Sequence, residues 1–368
     1  MRIGIDAHMI GTRETGNETY CRGLIEGFAQ LEDDNEYLIY LASPDVLPSV
    51  NGHGRLLRRD LRKQSNVWRL TLGFAQASRG DRLDLLHSSY NVPLFASCRL
   101  VVSVHDISFV HFPEFFSKRD LRIMLNYIPY SMKRAQQVIT LSESAAQDIE
   151  QVYGIPRSKI TVTPLAARAP FTGTASVEEV SRLRRHHGLE DPYILAVGNL
   201  QPRKNLLRLF EAFAQLPPSA SDVKLAVVGK AQWKESEIYR RVTELQIEDR
   251  VVFTGYMDDE DLALLYQGSL GLVYPSIYEG FGLPILEAMA CGAPVICSNT
   301  SSMPEVAGDA AILVDPLNVG EIAEAIASVV QSSAVREQLR ERGRRQAALF
   351  SWENTARQTL EVYERCAN

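Results

Sequence analysis

Residues 274–297 read YPSIYEGFGLPILEAMACGAPVIC. An apolar run ends at Tyr274, a loop carries Glu279-Gly280-Phe281-Gly282, and Pro284 stands where a helix should begin. Proline suits a first helical position because the N–H it lacks has no partner there in any case. A second apolar run at residues 294–297 closes a strand–loop–helix–strand unit. Strands alternating with helices imply a parallel sheet covered on both faces.

The same alternation runs outward in both directions. Apolar runs at residues 2–5, 37–41, 85–87, 100–104, 138–141 and 160–162 read as buried strands, with helical spacing over 118–134 and 143–153. The pattern lapses around residues 164–177, where Pro, Ala, Gly, Ser and Thr dominate. It restarts with strands at 193–197, 224–228, 251–254, 270–274, 294–297 and 311–314 and helices at 206–215, 235–245 and 259–267. The chain reads as two Rossmann-like α/β domains, residues 1–170 and 171–350, facing a deep interdomain cleft of the kind in which open parallel sheets bind ligands. Residues 351–368 read as a tail helix that packs back on the first domain, with Ser351 as its N-cap.

Composition bounds the alternatives. The 368 residues are 45% hydrophobic and 23% charged, with 23 Gly and 17 Pro, which excludes a disordered or collagen-like chain. No apolar run approaches the roughly 20 residues that span a bilayer. The opening residues show no charged-then-apolar leader, so a cytoplasmic protein is expected. Five scattered cysteines (Cys21, Cys98, Cys291, Cys297 and Cys366) show no metal-ligand spacing and read as reduced, buried thiols. The net charge of -6 hides an asymmetry: residues 51–170 hold 17 Lys+Arg against 9 Asp+Glu. A basic segment in an acidic chain implies an anionic partner.

Within the central stretch, the glycines let a ligand approach the backbone, and the unpaired N–H groups at the helix start attract an anion. Glu287 is expected in the first turn of that helix and Glu279 just before it. A carboxylate beside a phosphate is unfavourable, so both acids read as acceptors for hydroxyls of a sugar or ribose. Acidic residues also suit a helix start for dipole reasons alone. A second signature decides between these readings. Residues 198–205 read GNLQPRKN, directly after the strand 193–197 and before the helix at 206. Arg203 and Lys204 therefore project from the same rim of the sheet, and two cations with a helix N-terminus describe a diphosphate site.

The block E-G-F-G-L-P-x-x-E-A-M-A-C-G-x-P-V, preceded by G-N-x-x-P-R-K-N, resembles the retaining glycosyltransferases of family 4, which have the GT-B fold. The strong motifs lie in residues 193–316, and the strand–helix order agrees over essentially the whole chain. The resemblance implies that Glu287 binds ribose hydroxyls and Glu279 the donor sugar. It implies that backbone N–H groups at Phe281, Gly282 and Leu283 meet the sugar and β-phosphate, while Arg203 and Lys204 neutralise the departing diphosphate. Gly229, Lys230, Tyr256 and Met257 would line the nucleobase pocket. In the first domain, His105 would sit near the reacting carbon, and residues 11–20 (GTRETGNETY) resemble a glycine loop that brings Gly16 to the donor. That loop departs from the common double-glycine form at Asn17. Ser142 fits a helix N-cap as well as a site residue.

The implied reaction replaces a nucleoside diphosphate at an anomeric carbon by an acceptor hydroxyl with retention of configuration. No metal and no cofactor are expected: Asp259-Glu260-Asp261 opens a helix, where acidic residues suit the dipole. The expected partners are a nucleotide-sugar, GDP-mannose ahead of UDP-glucose, and a glycan or lipid-linked acceptor; no nucleic acid is expected. Residues 55–74 place Arg55, Arg58, Arg59, Arg62, Lys63 and Arg69 among leucines and Trp68, a pattern for an amphipathic helix on an anionic membrane or an ordinary solvated one. Three rival readings remain. A nucleotide-sugar 2-epimerase shares the fold but fits the E-x7-E spacing less well. A nicotinamide dehydrogenase would need a third loop glycine. A non-catalytic binding subunit would not need all four of Arg203, Lys204, Glu279 and Glu287.

Overall fold

A computed structural model describes residues 1–12, 15–42, 55–61, 65–230 and 235–367. The chain divides into two compact units, Met1–Leu165 with Phe350–Asn368, and Ala166–Leu349.

The first unit holds seven parallel strands: β1 (Arg2–Asp6), β2 (Glu36–Leu41), β3 (Arg55–Asp60), β4 (Leu85–Ser89), β5 (Arg99–Ser103), β6 (Gln137–Thr140) and β7 (Ile160–Val162). Their order is β3-β2-β1-β4-β5-β6-β7, so the chain reverses direction across the sheet beside β1. The central strands are apolar on both faces because helices cover both, with Ile3, Leu38, Leu86, Val101 and Val138 fully buried. The helices Lys118–Arg134 and Glu143–Tyr153 stand where the spacing predicts them. Ser142 caps the second, accepting from the Ala145 N–H at 3.1 Å.

Two expectations change here. Residues 11–20 are not one glycine loop, because a helix runs over Thr15–Phe28 and buries Tyr20, Cys21, Leu24, Ile25 and Phe28. That i, i+4 spacing is a helical face, and its burial outweighs the glycines. Nor is the basic stretch 55–74 one amphipathic helix. Residues 55–60 pair with all of β2 as an edge strand, a case of sheet pairing overriding local pattern. Arg62 and Lys63 lie outside the described residues. Arg69 is buried, its guanidinium on the carboxylate of Asp6 at the end of β1. Burial would raise the Asp6 pKa, but Arg69 and His8 outweigh it and hold the group below its usual range.

The tail helix Trp352–Ala367 belongs to this unit. Ser351 accepts from the Asn354 N–H at 3.1 Å, as an N-cap should. The helix packs on Thr15–Phe28 at a very close approach: a Cβ on Gly27 would fall 2.2 Å from the Trp352 carbonyl oxygen.

The second unit holds six parallel strands: β8 (Tyr193–Val197), β9 (Lys224–Val228), β10 (Val251–Gly255), β11 (Gly271–Tyr274), β12 (Val295–Ser298) and β13 (Ala311–Val314). The order β10-β9-β8-β11-β12-β13 places the switch point between β8 and β11. On one face, Leu209, Phe210 and Phe213 of the helix Leu206–Ala214 pack with Ile322, Ile326 and Val329. Each such side chain contributes about 1.5–3 kcal/mol by leaving water. All five cysteines are free, and four are buried. No described helix is long and apolar enough to cross a membrane.

Candidate functional site

At the β8–β11 switch point the loops after four strands lock together. Gly198 N–H donates to Val228 O at 2.9 Å, and Gly229 N–H donates to Gly255 O at 2.9 Å, extending the ladder past the strands. Gly229 has φ 150, and a Cβ there would lie 2.0 Å from the Gly198 carbonyl oxygen, so no other residue fits. The turn Pro202–Lys204 ends at Asn205, which adopts φ 61. Its side-chain amide donates to Pro275 O at 3.0 Å and Pro316 O at 2.6 Å, tying the 201–205 turn to the 275–282 loop.

This framework brings Arg203, Lys204 and Glu279 into one clasp. Arg203 Nη1 lies 2.5 Å from Glu279 Oε2 and 3.1 Å from Tyr278 O. Lys204 Nζ lies 2.6 Å from Glu279 Oε1 and 2.5 Å from the Tyr274 hydroxyl. Burial would raise the Glu279 pKa, but the two cations, by charge and hydrogen bonding, hold it at about 2. The cluster is thus two cations around one fixed carboxylate, with net positive charge, and Lys204 also lines a small, mostly apolar pocket with Ala196, Val197, Leu206, Val227, Val273 and Tyr274.

The second acid behaves differently. Gly282, at φ 97, precedes the helix Leu283–Ala290, with Pro284 in its first turn. Glu287 lies one turn further in, not in the first turn as the motif implies, and is buried. Burial pushes its pKa up to about 7, against the attraction of Arg168, a hydrogen bond from Tyr266 at 3.4 Å and the charge of Lys204. Phe281 and Gly282 are buried, and Leu283 is half-buried. Lys230 Nζ lies 4.7 Å above the ring of Tyr256, and Met257, the residue after that tyrosine, is buried. Asp259, Glu260 and Asp261 occupy the first turn of the helix Asp259–Gly268, capped by Asp258, and Arg168 pairs with Asp259.

Sequence reasoning missed the strap that holds the Glu279 loop. Ser298 Oγ donates to Ser276 O (2.6 Å), Thr300 Oγ1 to Ile277 O (3.1 Å), and Ser302 Oγ to Glu279 O (2.8 Å) and Phe281 O (3.0 Å). The Ser301 hydroxyl accepts from the Glu279 N–H at 3.0 Å. The run S-N-T-S-S at 298–302 is the signal that could have revealed it.

In the first unit, His105 follows β5 and is buried against the edges of Tyr20 and Tyr90, with ring centroids 4.6 and 5.2 Å away. Burial lowers its pKa to about 4, so the imidazole is neutral at pH 7. Its Nε2 has no hydrogen-bond partner among the described residues, an uncommon condition for a buried nitrogen. Gly16 lies in the first turn of the helix Thr15–Phe28, exposed, with open space where a Cβ would project.

The family model for glycosyl transferases group 1 matches residues 179–346, and that for glycosyltransferase family 4 matches residues 15–166. Over 366 residues the chain is 33% identical to O-antigen chain mannosyltransferase B of Escherichia coli, covering 95% of this chain and 96% of that one. The chain belongs to glycosyltransferase family 4. A second relative, the E. coli serotype-specific mannosyltransferase WbdA, is 32% identical over 237 residues, 63% of this chain but 29% of that much longer protein. Among solved structures, Anabaena HepE in complex with UDP and glucose superposes with a TM-score of 0.78, covering 99% of this chain and 100% of that one at 21% identity. The family 4 chain therefore has the GT-B fold of two Rossmann-like domains.

Proposed function

We propose that this transferase moves a hexose, mannose from GDP-mannose ahead of glucose from UDP-glucose, to a hydroxyl of a growing surface polysaccharide with retention of configuration. The observation that carries this reading is the Arg203–Lys204–Glu279 clasp, two cations fixed on one carboxylate in the loops at the sheet's switch point. A departing diphosphate gains charge as its bond to the sugar stretches, and preorganised cations stabilise that charge in advance. The names of the E. coli relatives support mannose and polysaccharide.

In the reaction, the bond between the anomeric carbon and the β-phosphate oxygen breaks. The acceptor oxygen bonds to the same face of that carbon, and its proton passes to the departing phosphate oxygen. Arg203 and Lys204 hold that phosphate, Glu279 accepts from sugar hydroxyls, and Glu287 accepts from the ribose diol. Backbone N–H groups from Phe281 to Leu283, the helix start at Gly16 and the loops carrying Gly229, Lys230, Tyr256 and Met257 complete the donor contacts. The free Nε2 of neutral His105 hydrogen-bonds a substrate hydroxyl. With this charge supplied by side chains, turnover is expected to survive EDTA.

The test is sugar transfer from each donor to a mannose-terminated oligosaccharide, with the product anomer read by NMR. Arg203→Ala and Lys204→Ala should each lower kcat by about 100-fold, while Glu287→Ala should chiefly raise the donor KM. Unchanged kinetics in all three, an inverted product, or loss of turnover on chelation restored by a divalent metal would each overturn the corresponding part.

A further inference from the structure

Ser103 ends β5, fully buried, two residues before His105. Two tyrosines from other segments are anchored on it. The Tyr20 hydroxyl, from the helix Thr15–Phe28, lies 2.7 Å from Ser103 Oγ, and the Tyr90 N–H donates to Ser103 O at 2.7 Å. Both rings meet the His105 imidazole edge-to-face, at interplanar angles of 66° and 64°. Such contacts fix the tilt of a ring as well as its place.

Tyr90 reaches the imidazole through a strained backbone. Its φ is 60, in the left-handed region that bulky side chains seldom enter. Glycine would adopt that turn freely. Tyr90 is only half-buried, so core packing does not explain why the chain holds a tyrosine there. The strain sits beside His105 Nε2, a buried nitrogen without a hydrogen-bond partner among the described residues. Backbone strain kept next to such a group marks a functional constraint.

We infer that Tyr90 is a positioning residue: with Tyr20 as a second wall, it clamps the His105 imidazole and fixes the direction of Nε2. This rests on the part given to His105 in the reaction proposed above. A substrate hydroxyl meets Nε2 well at one ring angle only, and a misplacement of about 1 Å can cost about a hundredfold in rate. The walls also keep the ring dry. Burial lowers the His105 pKa to about 4, against the pull of Asp106, whose carboxylate accepts from the Ser108 N–H at 2.9 Å. The other titratable side chains facing the ring are Tyr20, Tyr90 and His87. His87 stays neutral, because burial lowers its pKa to about 3.

Transfer kinetics are measured for Tyr90→Phe, Tyr90→Gly and His105→Gln in the full chain, and circular dichroism melting checks that each is folded. Tyr90→Phe keeps the wall and should turn over like wild type. Tyr90→Gly relieves the backbone but removes the wall, so kcat should fall about tenfold or more with the donor KM nearly unchanged. In protein carrying isotope-labelled histidine, NMR follows the His105 ring without substrate, the resonance being assigned through His105→Gln. The wild-type ring should not titrate above pH 6, whereas in Tyr90→Gly its midpoint should move up towards 6.5 as water enters. An unmoved titration, or a Tyr90→Gly chain that melts lower yet turns over like wild type, overturns the inference. So does a Tyr90→Phe loss as large as that of Tyr90→Gly, which would assign the effect to the hydroxyl. His105→Gln separates the two levels. Unchanged kcat in that variant removes the role of His105 in the reaction and this inference with it. Lost kcat there, beside normal turnover in Tyr90→Gly, removes the positioning role alone.

Discussion

Glu279 and Glu287 stand on one loop-and-helix segment yet have opposite protonation behaviour, and their surroundings explain why. Glu279 has two cations within 2.6 Å; Glu287 has one long hydrogen bond from Tyr266 and otherwise buried surroundings. Between its ordinary value of 4.5 and about 7, folded Glu287 keeps a proton that the unfolded chain has lost. Stability therefore falls as pH rises through that window, and above it the group costs up to about 3 kcal/mol. Glu287→Gln should be more stable than wild type to urea at pH 8 and equal to it near pH 4.5. Equal stability at both pH values would contradict the buried, strained acid. The same ionisation bears on ligand affinity, because only the carboxylate accepts from both hydroxyls of a diol. The ratio of nucleoside diphosphate affinities, wild type over Glu287→Gln, should rise about tenfold from pH 6 to pH 8. Taking the ratio cancels ionisation of the phosphate itself, and parallel titration curves would sink the expectation. For Glu279 the sign reverses: its pKa is lowered, so its contribution holds above pH 4.5 and is lost as pH falls towards 2.

At the scale of elements, the clearest test is the seam between Thr15–Phe28 and Trp352–Ala367. Gly23 and Gly27, one turn apart, let Trp352 lie against the helix: a Cβ at Gly23 would fall 2.1 Å from the indole and one at Gly27 2.2 Å from a backbone oxygen. Gly27→Ala meets backbone that cannot rotate away and should cost about 3 kcal/mol. Gly80→Ala, at a helical position with open space, should be neutral or slightly stabilising. Thermal melts of the two variants compare them directly, and equal losses would refute the close packing. The same region shows where the sequence was readable. Strands 193–197 and 224–228 and helices 118–134 and 143–153 follow from periodicity alone, because each buries its own apolar pattern. Helix Thr15–Phe28 was hidden behind Gly11 and Gly16, although Tyr20, Leu24 and Phe28 already carried its spacing. Strand β3 was hidden because its pairing with β2 depends on residues outside the segment. At the site, Arg203, Lys204 and Glu279 could be named from motifs. Their mutual ion pairing could not, since it spans about 75 residues and depends on Asn205 and the 298–302 strap.

For the whole molecule, the chain leaves the first unit at Leu165, builds the second, and returns with its last helix. That helix completes the first unit. It buries Trp352, Ala356, Val362 and Tyr363, and the Tyr363 hydroxyl lies 2.6 Å from His87 Nδ1. His87 Nε2 in turn meets Ser103 Oγ at 2.7 Å, which meets the Tyr20 hydroxyl at 2.7 Å. Burial holds His87 down at about 3, so it stays neutral and needs one donor and one acceptor from this chain. Removing Tyr363 leaves a buried nitrogen without a partner, which costs about 1–3 kcal/mol. Tyr363→Phe should therefore lower the stability of the first unit by that amount. A chain ending at Leu349 loses the packing as well, exposing the faces of Phe28 and Tyr37. Hydrogen exchange should then show protection lost across β1, β4 and β5 while β8, β9 and β11 remain protected, because the second unit has its own core. Uniform loss over both sheets would mean the two units fold as one, and full protection in both would mean the tail helix is dispensable.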